Sequence, residues 1–176
     1  MTRAAWWLAA AAGLTLLGYM GRDKIGSFMI NDNEALGNKN VQAFLRAIRA
    51  GESSQDAAAY NMLVYGGTFA DMSTHPRVYK PIPGSTLKTS AAGAYQITYS
   101  TWKWLHLLAG VDDFTPASQD KMAVAYLRKL GALADIVAGD YAAAIEKCAP
   151  VWESITVPKL KARIDLAYVK YGGAQA

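Results

Sequence analysis

Hydrophobic residues follow distinct rhythms along the chain. Residues 4–20, AAWWLAAAAGLTLLGYM, are apolar and uncharged throughout, between Arg3 on one side and Arg22, Asp23 and Lys24 on the other. Residues 21–40, GRDKIGSFMINDNEALGNKN, mix Gly, Asn and charge with no sustained period, as a linker does. Val41, Phe44, Leu45 and Ile48 then fall at i, i+3, i+4 and i+7, the stripe of an amphipathic helix. After it, MLVYGGTFA sets short apolar runs around a Gly pair, the pattern of a small hairpin or strand-loop. Residues 73–90 read as a loop, punctuated by Pro76, Pro81, Pro83 and Gly84. The remaining chain has helical spacing. One helix is expected over Thr101–Ala109, stopping at Gly110, with Trp102, Leu105 and Leu108 inward. The next opens with Thr115 as cap and Pro116 at its first position and runs to Leu130, with Met122, Tyr126, Leu127 and Leu130 inward. A short helix over 132–138, one capped by Asp140 through Cys148, and a last one from Pro158 complete the pattern. The fold class expected is α+β, mostly helical, with a small β element after the first domain helix.

The apolar run at the start changes this picture. At about 1.5 Å per residue it spans roughly 26 Å as a helix, slightly short of a hydrocarbon core of about 30 Å. Trp6, Trp7 and Tyr19 suit the membrane interfaces. A cleaved signal peptide, an uncleaved signal anchor and a buried core helix all fit such a run. The following LLGYMGRDK has no small-residue cleavage pattern, which favours the anchor. The domain plan is therefore a signal-anchor or transmembrane segment over 1–20, a linker over 21–39 and one domain over 40–176.

Composition narrows the function classes. The 176 residues are 52% hydrophobic and 18% charged, enough for one domain with a real core. Lys and Arg outnumber Asp and Glu 18 to 14, a formal charge of +4, which mildly favours anionic polymers and membrane surfaces. The basic residues are scattered, with no nucleic-acid-binding signature, so no nucleic-acid partner is expected. Cys148 is the only cysteine, which excludes an intramolecular disulfide, and it reads as a small buried residue on a helix. His75 and His106 stand apart without ligand-spaced companions, so no metal site is expected.

Glu52 is the residue whose position is physically odd. It follows Val41 by 11 residues, and 11 steps of 100° return to within about 20° of the same helical direction, so a carboxylate continues the apolar stripe. It also sits at the helix's C-terminal end, where the macrodipole opposes negative charge. Partial burial and the helix end both penalise the ionised form and favour a protonated carboxyl, which a glycosidase needs to protonate a leaving oxygen. Taken alone, the position is more often that of a solvated surface glutamate at a frayed helix end.

The stretches FLRAIRAGES, YNMLVYGG, STHPRVY, SAAGAYQIT, DFTPASQDKMAVAYL, GALADIVAGD and AIEKCAPVWESI occur in that order over residues 40–156. In this the chain resembles the lambda-type bacteriophage endolysins, lytic transglycosylases with a lysozyme-like fold. The resemblance implies a lysozyme-like domain in which Glu52, closing the first domain helix, is the sole catalytic carboxylate. It implies that the GAYQIT loop and the YGG turn wall a saccharide groove. Tyr95 would offer an aromatic face to a sugar, with a packed turn as the alternative, and Gln96 an amide that donates and accepts. Tyr65 and Tyr126 are further substrate-binding candidates, each with a core position as the alternative. Two stretches depart from the family: Ser53 and Ser54 stand where Gly and Thr are expected, and ITVPKLKAR follows the Trp152 segment in place of a Gly/Tyr-rich loop.

A hydrolytic glycosidase ordinarily uses two carboxylates. Asp56 and Asp71, the nearest in sequence, fall in a polar turn and an exposed-looking loop. The expected activity is accordingly transglycosylation of the bond between N-acetylmuramic acid and N-acetylglucosamine, with no metal or cofactor. A hydrolytic lysozyme and a non-catalytic peptidoglycan-binding virion module are the rivals. The expected partners are peptidoglycan glycan strands, the membrane through the first helix, and the host secretion machinery. The expected location is the host inner membrane with the domain in the periplasm.

Overall fold

Five of the six α-helices among the described residues begin where a side chain takes up free amides of the first turn. The structure, a computed structural model, describes residues 30–54 and 57–152. Helix α1 (Asp32–Gly37) starts from a reciprocal cap: the Asn31 side chain accepts from the Glu34 amide and the Glu34 carboxylate accepts from the Asn31 amide. Helix α2 (Lys39–Glu52) starts from Asn38, whose side chain accepts from the Asn40 and Val41 amides. Helix α3 (Tyr99–Ala109) is capped by Thr98, and α4 (Pro116–Lys129) by Thr115 with Pro116 at its first position. Helix α5 (Leu133–Val137) has no side-chain cap, while α6 (Tyr141–Cys148) is capped by Asp140.

The first of these helices corrects the linker expected over 21–39. Ala35 is fully buried and α1 packs on α2 and α4, so the packed core begins before residue 40. A helix of six residues with one buried position has no period to detect, although its capping pattern stands in the sequence. The expected segments at 1–29 and beyond 152, including the anchor and the helix from Pro158, lie outside the described residues, as does Asp56. Among the described residues no helix is long and apolar enough to cross a membrane.

The stripe of α2 is buried as its spacing requires: Val41, Phe44, Leu45 and Ile48 are 0–2% exposed. Each side chain of this size contributes roughly 1.5–3 kcal/mol through burial. Met122, Leu127, Ile136 and Ile145 complete the interior from α4, α5 and α6, while Tyr126 and Leu130 are only partly buried. Trp102 and Leu105 of α3 face inward, but Leu108 is 52% exposed, against expectation. Six residues from Trp102 is a rotation of about 240°, whereas seven returns to within about 20°, so Ala109 continues the stripe instead. Cys148 is buried, and burial pushes its thiol up to about 12.

The β element is small. A 3-10 turn (Ala57–Asn61) leads into isolated bridges that pair Met62 with Thr68, Leu63 with Ala92, and Ala92 with Ile97. Inside the stretch expected to be loop, β1 (Lys80–Pro81) pairs antiparallel with β2 (Lys88–Thr89), Lys80 opposite Thr89. Two-residue strands that include a proline show no alternation, which is why the pattern misses them.

Candidate functional site

Helix α2 delivers Glu52, half-buried, to a cleft of about 270 Å³. Tyr95, Gln96, Ile97, Thr98 and Thr101 line it with Tyr126, Pro150, Val151 and Trp152. Glu52 is the one carboxylate in this lining among the described residues. Asp71 lies fully exposed, its carboxyl held below the ordinary value by hydrogen bonds from Ser73. Among the described residues no group of three His, Cys, Asp or Glu side chains is arranged to hold a metal ion.

The loop over residues 91–98 is held by buried side chains. Gly93 has φ +76°, and a Cβ there would stand 2.2 Å from Oε1 of Gln119. That contact leaves room for glycine alone. Gln119, fully buried, accepts from the Ala94 amide at 2.8 Å and donates to the Tyr60 and Phe114 carbonyls, both at 2.8 Å. His75, also buried, bonds the Ile97 carbonyl at 2.8 Å through Nε2. The Arg77 amide donates to its Nδ1 at 3.1 Å, which assigns the proton to Nε2 and makes the ring neutral. Burial and, secondarily, the charge of Arg77 hold the His75 pKa below the ordinary histidine value against the opposing pull of the Ile97 carbonyl. Gln96 adopts φ +48°, its side-chain nitrogen donating back to Gly93 at 2.9 Å. A left-handed residue without glycine's freedom costs on the order of 1–3 kcal/mol, so the surrounding bonds must over-determine this turn.

Tyr95 departs from expectation. The residue lines the cleft but is only 1% exposed, so its ring is packed and offers the cleft no broad face. The packed turn is the alternative that holds. Its hydroxyl donates to Asp120 and accepts from Nη1 of Arg49 at 2.8 Å. The Tyr60 hydroxyl donates to the same carboxylate, at 2.9 Å to the nearer oxygen. Burial works against the Arg49 charge, but Tyr95, Tyr60 and Asp120 outweigh it and the guanidinium stands above the ordinary arginine value. Burial likewise raises the Tyr60 hydroxyl to about 12 and the Tyr95 hydroxyl well above its ordinary value. Ser53, where glycine was expected, donates to the Ala94 carbonyl at 3.0 Å and fastens the end of α2 to this loop.

Of the other expected residues, Gln96 and Tyr126 line the cleft with Glu52. Tyr65 does not. It is 57% exposed in the left-handed YGG turn and absent from the described lining, although Gly93 donates to the Met62 carbonyl and so joins that turn to the loop. Trp152 was not expected as a lining residue. Its Nε1 donates to the Tyr95 carbonyl at 3.2 Å and its ring lies 5.6 Å from that of Tyr126, itself edge-on to Trp104. Tyr126 and Trp152 thus bring aromatic rings to the cleft lining, and Trp104 packs against Tyr126. Arg49, Asp120 and Gln119 also went unseen, because the partners that give them their place, Tyr95, Tyr60 and Ala94 among them, are distant in sequence and no local pattern marks them.

The chain matches the family model described as "Endolysin" over residues 42–164. It is 32% identical to the endolysin of Escherichia phage lambda over 124 residues, 67% of this chain and 78% of the relative. It is 32% identical to the endolysin of Escherichia phage P2 over 132 residues, 67% of this chain and 80% of the relative. The solved lysozyme from bacteriophage lambda superposes with a TM-score of 0.70 at 28% identity, covering 79% of this chain and 97% of that one. A second structure of that lysozyme, complexed with a chitohexasaccharide, superposes with a TM-score of 0.69 at 29% identity and the same coverage. With its lysozyme-like, mostly helical fold, this chain belongs to the endolysin family.

Proposed function

We propose that this endolysin cleaves the β-1,4 bond between N-acetylmuramic acid and N-acetylglucosamine in peptidoglycan as a lytic transglycosylase, with Glu52 as its acid and base. The observation that carries the reading is a lone carboxylate in the described lining of the cleft, half-buried at a helix end. The chitohexasaccharide held by the related lysozyme supports a glycan as the occupant. Glu52 protonates the glycosidic oxygen as the bond to the muramic acid C1 breaks. It then takes the proton of the muramic acid C6 hydroxyl, whose oxygen closes on C1 to form the 1,6-anhydro ring. No water is consumed, so one carboxyl serves both steps. Gln96, Tyr126 and Trp152, all in the lining of the cleft, offer the strand an amide and aromatic rings.

Digestion of Gram-negative peptidoglycan by the full chain, with products weighed by mass spectrometry, tests this. Anhydro-muropeptides are expected, and Glu52→Gln should lower the rate by about 10²–10⁴. Reducing-end products would make the enzyme a hydrolytic lysozyme. Strand binding without turnover would make it a non-catalytic module.

The proposal extends to where the enzyme works. The segment over 1–20, with its apolar run from residue 4, acts as a signal anchor: host secretion machinery exports the chain, the segment holds it at the inner membrane, and the domain faces the periplasm. The uncharged run between Arg3 and Arg22 supports this. Its modest apolarity fits release on depolarisation. Fractionation after an uncoupler should move the protein out of the membrane pellet, and lysis with the protein still in the pellet would sink the release step.

A further inference from the structure

Arg49 lies on α2 three residues before Glu52, one turn back along the same helix. Its side chain is 11% exposed, an expensive place for a cation unless every donor is used. Nη1 donates to the Tyr95 hydroxyl at 2.8 Å and stands 3.5 Å from Oδ1 of Asp120. The guanidinium lies 5.5 Å from the centre of the Tyr60 ring and 5.8 Å from that of Tyr95. Both phenols donate to Asp120. One group of side chains thus joins α2, the 3-10 turn, the loop over 91–98 and α4.

The position of this group is specific. Tyr95 precedes Gln96, and Arg49 precedes Glu52 by a turn; Tyr95, Gln96 and Glu52 all line the cleft, so the network adjoins it directly. Apolar side chains of the same size would hold α2 against the loop with comparable stability, since buried ion pairs are at best modest stabilisers. They would not fix its register. Packed apolar faces slide by fractions of an ångström at little cost, whereas hydrogen bonds of fixed length and direction do not. A proton transfer needs that accuracy, because a misplacement of about 1 Å can lower a rate on the order of 10²-fold.

We propose that Arg49 is a positioning residue: through the Tyr95 hydroxyl and Asp120 it sets where Glu52 stands relative to Gln96. The inference rests on the reading of Glu52 as acid and base. Arg49 touches no reacting atom and acts through Tyr95, so the hydroxyl of Tyr95 is part of the same device.

Steady-state turnover of soluble glycan strands by the full chain separates this role from a structural one. Arg49→Met keeps the stem and removes the charge and donors. It should lower kcat about tenfold or more while KM stays within about twofold. Arg49→Lys should recover kcat to within roughly threefold of the parent. Arg49→Met combined with Tyr95→Phe should be no slower than Arg49→Met alone, since both remove one contact. A lower melting temperature with unchanged kcat in Arg49→Met would overturn the proposal, as would losses that multiply in the double variant. If the parent yields no product, the catalytic reading fails by itself. Amide exchange over residues 93–97 then decides the clamp: faster exchange in Arg49→Met at unchanged global stability sustains it, and unchanged exchange there overturns it.

Discussion

Residues 78–89 and 90–97 adjoin in the sequence and are built on opposite plans. In the second stretch the backbone is buried from Ser90 to Tyr95 although it forms only isolated bridges. Its peptide groups are met partly by backbone, Gly93 donating to the Met62 carbonyl and Ala92 and Ile97 exchanging two bonds, and partly by buried side chains, Gln119 at Ala94 and His75 at Ile97, while the Ser90 hydroxyl accepts from the Tyr99 amide at 2.9 Å. In the first stretch the two short strands satisfy each other, and Val78, Tyr79 and Leu87 point outward, 39%, 56% and 65% exposed. The difference follows from what each stretch faces. A loop that walls a cleft and leaves regular structure must still pair every buried amide and carbonyl, so polar side chains move into the interior to do it. A solvated hairpin has water for that purpose.

Three substitutions sharpen or break this contrast. The largest effect belongs to Gly93→Ala. A Cβ at that site meets Gln119 at 2.2 Å in a left-handed backbone, and because Gln119 is bonded to three peptide groups it has nowhere to retreat. A loss of about 3–4 kcal/mol is expected in urea unfolding. The second effect is a dependence on pH through His75. Its folded pKa lies below the ordinary 6.5, so as pH falls the unfolded chain takes up the proton first. This contribution is complete above about pH 6.5 and is lost as pH falls through the folded value. The urea midpoint should therefore drop between pH 7.5 and 5 by more in the parent than in His75→Gln. The smallest effect is that of Leu87→Ser on the hairpin, within about 0.5 kcal/mol. If that change cost as much as Gly93→Ala, the two stretches would not differ as described.

The helices were legible because their signals are local. Thr115 with Pro116, Gly110 after Ala109, and Asp140 before an apolar stripe each mark a boundary within a few residues. Helix α1 was missed although Asn31 and Glu34 form such a signal, because nothing periodic follows. The same limit explains the site. Glu52 announces itself by continuing a stripe where a charge does not belong. The packing of Tyr95 depends on Arg49, 46 positions earlier, and on Asp120, 25 positions later, and no window of sequence contains all three. Leu108 was misplaced by a smaller error, one residue of helical phase.

Cys148 bears on how the chain meets oxidants and reductants. Its sulfur is walled in by the core and held as a neutral thiol, with no second cysteine anywhere in the sequence. The thiolate is the form that attacks disulfides and peroxides, so this one offers neither reaction a foothold. Folding then requires no oxidant and suffers none. A protein built this way keeps the same covalent structure in a reducing cytosol and in an oxidising space beyond it, and its activity need not wait on either.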